Sequence, residues 1–175
     1  MIRTVTGDIA AIVGRVLAHE HLQIDLSVQK GPANRIGQAE EEAVVDDLLD
    51  AKALGLAAIT DLSAADWGRD PIALRRISEQ SGIAVVCATG FYWDPFPRIA
   101  IEGTPEELRD IMIAEIETGV GDSGIRCGVI KVGTNRGEPD ALAERVFGAA
   151  VAAALATGAP VIRGRWCSGV ALTWR

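Results

Sequence analysis

The only two histidines of this chain stand one residue apart, at His19 and His21. Side chains alternate faces along an extended strand, so residues i and i+2 point the same way, and two neutral imidazoles placed like this can share one divalent ion. Histidines also pack into cores with their ring nitrogens bonded to backbone, and the spacing by itself leaves both readings open. Position favours the metal. The pair closes the apolar run Ile12-Val13-Gly14-Arg15-Val16-Leu17, which resembles the first buried strand of an α/β protein, and ligands in such folds emerge at strand C-terminal ends. Lys131 is the second residue marked for chemistry. It interrupts the apolar segment Gly128-Val129-Ile130-Lys131-Val132-Gly133-Thr134, where an amine is costly unless paired or altered. One reading is a lysine reaching water at the strand mouth, which spacing alone favours. The other is a neutral amine that takes up carbon dioxide, giving a carbamate whose two oxygens can bridge a pair of metal ions.

The elements that must position these residues alternate between strand and helix. A helix is expected over 38–54, with Val44, Val45, Leu48 and Leu49 on its apolar face and Glu40, Glu41, Glu42, Asp46, Asp47 and Asp50 on a solvated one. Gly55 ends it, and Leu56–Asp61 forms a second buried strand. Asp70 and Pro71 open a helix as cap and first-turn proline, and Ser81-Gly82 closes it. Ile83–Ala88 is the third strand. Thr104-Pro105-Glu106-Glu107 has capping-box spacing ahead of an apolar stripe of Leu108, Ile111, Met112 and Ile116. Cys127–Val132 is the fourth strand, an alanine-rich helix fills 139–157, and a fifth strand begins at Pro160-Val161-Ile162. Near-continuous apolar strands separated by helices mean a parallel sheet, either a barrel or an open doubly wound sheet. No glycine-rich phosphate loop follows the first strand, which favours the barrel. A full (β/α)8 barrel needs about 250 residues. The expected fold class is therefore α/β, an incomplete TIM barrel of about five βα units.

Composition bounds the function. The chain has 175 residues, 49% of them hydrophobic, enough for one domain with a sizeable core. Its net charge of −7 argues against a nucleic-acid surface and for a small-molecule partner. Cys87, Cys127 and Cys167 are odd in number and lie in or beside apolar segments, so free thiols and a cytoplasmic setting are expected. Neither a signal-peptide core nor a membrane-length apolar stretch occurs, so no membrane partner is expected.

Three motifs together carry a family likeness. Thr4-Val5-Thr6-Gly7 with Gly14-Arg15-Val16-Leu17-Ala18-His19-Glu20-His21-Leu22, then Ala88-Thr89-Gly90-Phe91-Tyr92, then Ile130-Lys131-Val132-Gly133-Thr134 resemble the phosphotriesterase family of the amidohydrolase superfamily, especially its lactonase-like branch. The likeness spans residues 1 to about 162. It implies a TIM barrel with two divalent metal ions of the zinc type, His19 and His21 on one metal and Lys131, as a carbamate, bridging both. It further implies hydrolysis of an ester bond, in a lactone or an organophosphate triester, by a hydroxide shared between the metals. Tyr92 resembles the family tyrosine beside the metals, where it would contact substrate; a tyrosine capping the core is equally compatible. No catalytic residue beyond the metal ligands is identified.

The departures are as specific. The family draws further ligands from strands five, six and eight, yet no histidine follows His21, and the fifth strand reads Val161-Ile162-Arg163-Gly164-Arg165. The segment 163–175 gathers two of the four tryptophans and three arginines, and its abrupt change of character suggests a frameshifted, non-native tail after a barrel portion at 1–162. Two alternatives stand beside the hydrolase: a catalytically inactive barrel fragment with an incomplete metal site, and another amidohydrolase barrel such as a deoxyribonuclease or a dihydroorotase. A family-like homodimer is compatible with the motifs. Non-specific self-association is expected if five strands leave apolar edges near Val16-Leu17 and Val161-Ile162.

Overall fold

The computed structural model describes residues 1–92, 96–134 and 140–165. Its elements in chain order are β1 (Ile2–Thr4), β2 (Gly7–Ile9), β3 (Arg15–Glu20), β4 (Ile24–Asp25), α1 (Ser27–Lys30), β5 (Arg35–Ile36), α2 (Glu41–Ala53), β6 (Leu56–Asp61), α3 (Pro71–Ser81), β7 (Ala84–Thr89), α4 (Arg98–Glu102), α5 (Pro105–Glu117), β8 (Val129–Thr134), α6 (Ala141–Thr157) and β9 (Val161–Arg165). Five of the strands form one parallel sheet in the order β3-β6-β7-β8-β9. Each strand lies beside its predecessor and the order never reverses. That excludes the doubly wound alternative, which needs a switch point, and leaves a curled, partial barrel. The β1–β2 hairpin and the small β4–β5 pair are separate antiparallel additions.

Two apolar layers hold the sheet. The larger lies between strands and helices, where Ile59, Val85, Cys87, Ile130 and Val132 meet Leu74, Ile77, Leu108, Met112, Ile116 and the alanines of α6. The smaller lines the concave face with Leu62, Val86, Ala88 and Val129, against which Ile2 and Ile162 pack. Period-two alternation produces this division: on β8, Ile130 and Val132 face the helices, while Val129 belongs to the inner layer.

Local chemistry sets the helix ends. The Asp70 carboxylate accepts the amides of Ile72 and Ala73, each at 3.0 Å, and Gly82 closes α3 in the left-handed conformation. Thr104 and Glu107 form the expected reciprocal capping box on α5. Asp140 caps α6 through the amide of Ala143 at 2.8 Å.

Expectations change at the first strand and at α2, where Leu49, expected on the apolar face, is 44% exposed. The first strand begins three residues later than the apolar run suggests and is not buried: as a sheet edge with one neighbour, it leaves Val16 46% and Leu17 42% exposed. Glu41 does not join the solvated face of α2. It is buried and holds Arg76 of α3 bidentately, at 2.7 and 3.0 Å. The fifth strand runs through Arg165 in unbroken parallel register, Ile130 to Val161 and Thr134 to Arg165. Residues 166–175, including Cys167, lie outside the described residues. Cys87 and Cys127 are buried free thiols, as expected.

Candidate metal centre

His19 stands near the end of β3, and His21 follows one residue beyond the strand. Their rings meet edge to face, with centroids 5.4 Å apart. Strict alternation is not what brings them together. Leu17 pairs with Ile59 and Glu20 with Asp61, so β3 carries one more residue than β6 in this interval, and the bulge falls at Ala18-His19. Bulges re-aim side chains at sheet edges, and this one sits at the first candidate ligand.

The turn after β6 fixes the second histidine. Asp61, fully buried, accepts the amide of Leu22 at 2.6 Å through one carboxylate oxygen and that of Ser63 at 2.9 Å through the other. It thereby clamps the residue after His21 to its own strand. Burial pushes the Asp61 carboxyl up to about 6 despite these bonds. The Ser63 hydroxyl lies 3.0 Å from His21 Nδ1 and donates to the Gln23 carbonyl at 2.6 Å. Nε2 is the nitrogen not used in that contact.

Lys131 reaches the same place from β8. Its side chain has no exposed surface, and its ammonium nitrogen has no hydrogen-bond partner among the described residues. It lies 4.7 Å from the centroid of the Tyr92 ring. Tyr92, 8% exposed, stacks edge to face on Trp67 at 4.3 Å, and Trp67 lies 5.5 Å from His21. A continuous line of contacts thus joins the histidine pair to the lysine. The structure brings all four sequence-derived site residues to one mouth of the sheet. Trp67 was not anticipated, because it sits on an isolated 3-10 turn at Ala65–Trp67 with no periodic signal around it.

Electrostatics agree with the geometry. Burial lowers the His21 pKa to about 4, with His19 and Lys131 adding to the effect, and burial followed by Lys131 lowers that of His19. Both imidazoles are therefore neutral at pH 7, the form that binds metal. Burial brings Lys131 down to about 8, so a fraction of its amine is unprotonated at neutral pH.

Close backbone approaches shape the mouth. Gly90 has φ of +110°, and a Cβ there would stand 2.0 Å from the carbonyl oxygen of Lys131, so this position of the Ala88–Tyr92 motif admits no side chain. Gly164 of β9 faces the centre: a Cβ there would lie 2.9 Å from the Lys131 nitrogen and 2.7 Å from the Tyr92 hydroxyl. The fifth strand thus presents glycine where a donor would point at the lysine. Among the described residues no three His, Cys, Asp or Glu side chains cluster as metal ligands. Two neutral imidazoles beside a buried amine that has no hydrogen-bond partner among the described residues fit one divalent ion, provided that the lysine becomes an oxygen donor. They do not complete two coordination spheres.

The model of the phosphotriesterase family matches residues 1–169. The chain belongs to the phosphotriesterase family. It is 33% identical over 151 residues to the phosphotriesterase homology protein of Escherichia coli K12, covering 85% of this chain and 51% of that protein. It is 29% identical over 160 residues to the N-acetyltaurine hydrolase of Rattus norvegicus, covering 74% of this chain and 46% of the relative. A crystal structure of the E. coli homology protein, with phosphate in its active site, superposes with a TM-score of 0.83 at 32% identity, over 87% of this chain and 53% of the other. A mutant Deinococcus radiodurans phosphotriesterase-like lactonase gives 0.82 at 28% identity, over 94% and 55%. The chain spans about half the length of the curated relatives it matches. The family match and these neighbours support the expected partial barrel.

Proposed function

We propose that the protein is a metal-dependent hydrolase of ester bonds, with a lactone or an organophosphate triester as substrate, built on His19, His21 and Lys131. The observation that carries the reading is the convergence of two neutral imidazoles with a buried lysine amine that has no hydrogen-bond partner among the described residues. His19 and His21 hold one cation through their bare ring nitrogens. Lys131, its pKa near 8, reacts as the free amine with carbon dioxide and loses a proton to become a carbamate, whose oxygens are the donors a divalent ion requires. A divalent ion bound here would supply Lewis-acid polarisation of a carbonyl or phosphoryl oxygen and activation of water. Tyr92, over Lys131 and against Trp67, forms the wall on which substrate is placed.

A second reading is favoured by Gly164, which faces the lysine without a donor: the 175-residue chain by itself holds metal weakly and turns nothing over. The test is hydrolysis by the purified chain, supplied with zinc and bicarbonate, of a δ-lactone, an aryl phosphotriester and, because one relative is an N-acetyltaurine hydrolase, an N-acyl amide. Turnover that disappears in His21→Ala supports the hydrolase. Absence of turnover across the panel, in a chain that binds zinc, supports the second reading.

A further inference from the structure

Ser63 is a buried hydroxyl to which no substrate or metal role is assigned, and the proton count around it is restrictive. A serine hydroxyl has one proton. Its oxygen is 2.6 Å from the Gln23 carbonyl oxygen and 3.0 Å from His21 Nδ1. Two oxygens at 2.6 Å repel unless a proton lies between them, and the carbonyl has none to give, so the serine proton is committed to Gln23. Toward His21 the hydroxyl can then only accept. The proton in that contact belongs to Nδ1, and a neutral imidazole protonated at Nδ1 keeps its lone pair on Nε2.

We infer that Ser63 is a positioning residue that fixes the tautomer of His21, directing the Nε2 lone pair toward the cation held with His19 and Lys131. The serine is itself held by its neighbours: its amide donates to Asp61 Oδ1 at 2.9 Å, and the other Asp61 oxygen holds Leu22, directly after His21. A carboxylate, a hydroxyl and a carbonyl on adjacent turns thus set the position, the rotation and the proton of one ring. Partners of this kind behind metal-bound histidines affect affinity by about 10- to 100-fold. The inference rests on the proposed metal centre for its consequence, although not for the tautomer.

The experiment uses the whole chain and zinc alone as probe. Long-range 1H–15N NMR of the metal-free protein reports which nitrogen of His21 carries the proton, with His21→Ala giving the assignment. The expected result is a proton on Nδ1. In Ser63→Ala that preference is lost and zinc affinity falls about 10-fold or more, whereas Ser63→Thr, which keeps the hydroxyl, retains both. A wild-type His21 protonated at Nε2 overturns the inference, and so does a folded Ser63→Ala with unchanged tautomer and zinc affinity. If Ser63→Ala does not fold, the wild-type tautomer still decides. A wild-type chain that binds no zinc while keeping Nδ1–H refutes the metal reading and leaves the assignment of the His21 tautomer to Ser63 standing.

Discussion

Replacing Asp61 by asparagine separates the cost of burying a charge from the value of the bonds it makes. The carboxyl has no exposed surface and is pushed up to about 6 from an ordinary 3.8, with burial the leading cause. A raised acid pKa means that the folded chain binds the Asp61 proton more tightly than the unfolded chain does. Its contribution is therefore most favourable below pH 4 and is lost as pH rises through 6. The difference between 3.8 and about 6 corresponds to roughly 3 kcal/mol across that window. The histidines act in the opposite sense. His21, lowered to about 4, favours folding above pH 6.5 and loses that contribution as pH falls toward 4. The two effects overlap in the wild type, so the informative quantity is the difference between variant and wild type. Asparagine can accept one of the two amides now held by Asp61, so one bond is lost at a cost of about 1–3 kcal/mol at every pH. Urea unfolding at pH 4 and pH 7 should show Asp61→Asn clearly less stable than wild type at pH 4 and close to it at pH 7, the difference changing by about 3 kcal/mol. A difference that does not change with pH would refute the account of Asp61 as a desolvated carboxylate at the turn behind the site.

Other consequences follow from buried contacts and the open edge. Arg69, 3% exposed, holds Glu115 bidentately at 2.7 and 2.8 Å and also donates to the Ala88 carbonyl, so Arg69→Met should lower unfolding stability by about 3–5 kcal/mol and the double variant with Glu115→Leu should recover part of it. Gly90→Ala should lose the near-ultraviolet circular dichroism signature of packed Trp67 and Tyr92, because its Cβ would meet the Lys131 carbonyl at 2.0 Å. Leu17→Lys, on the exposed edge strand, should reduce self-association measured by light scattering while leaving far-ultraviolet circular dichroism unchanged.

Much of the scaffold was legible because its signals are local. Asp70-Pro71, Thr104 with Glu107, and Asp140 act on amides two or three residues away, and helix starts could be placed from them. The five strands were found as apolar runs; their alternation with helices left a barrel and a doubly wound sheet both open, the missing glycine-rich phosphate loop favoured the barrel, and the observed order β3-β6-β7-β8-β9 agrees with it. The first strand was displaced because its apolar run includes Val13, which is 92% exposed and outside the strand, and because the edge position removes the burial that hydropathy implies. At the site, His19, His21, Lys131 and Tyr92 were recognisable by residue type and motif. Their supports were not. Ser63, Asp61 and Trp67 act across 38 residues or more of intervening chain on His21, Leu22 and one another's neighbours, through contacts that only the parallel pairing of β3 with β6 creates. The ion pair of Arg69 with Glu115, 46 residues apart, was invisible for the same reason.

Whether His19, His21 and Lys131 form one metal centre is decided by calorimetric zinc titration of the purified chain in bicarbonate buffer. One ion should bind per chain, His21→Ala should abolish binding, and the affinity of Lys131→Met should be reduced and no longer depend on bicarbonate. Zinc binding that is unchanged in both variants, or absent from a folded wild-type chain, would contradict a shared centre.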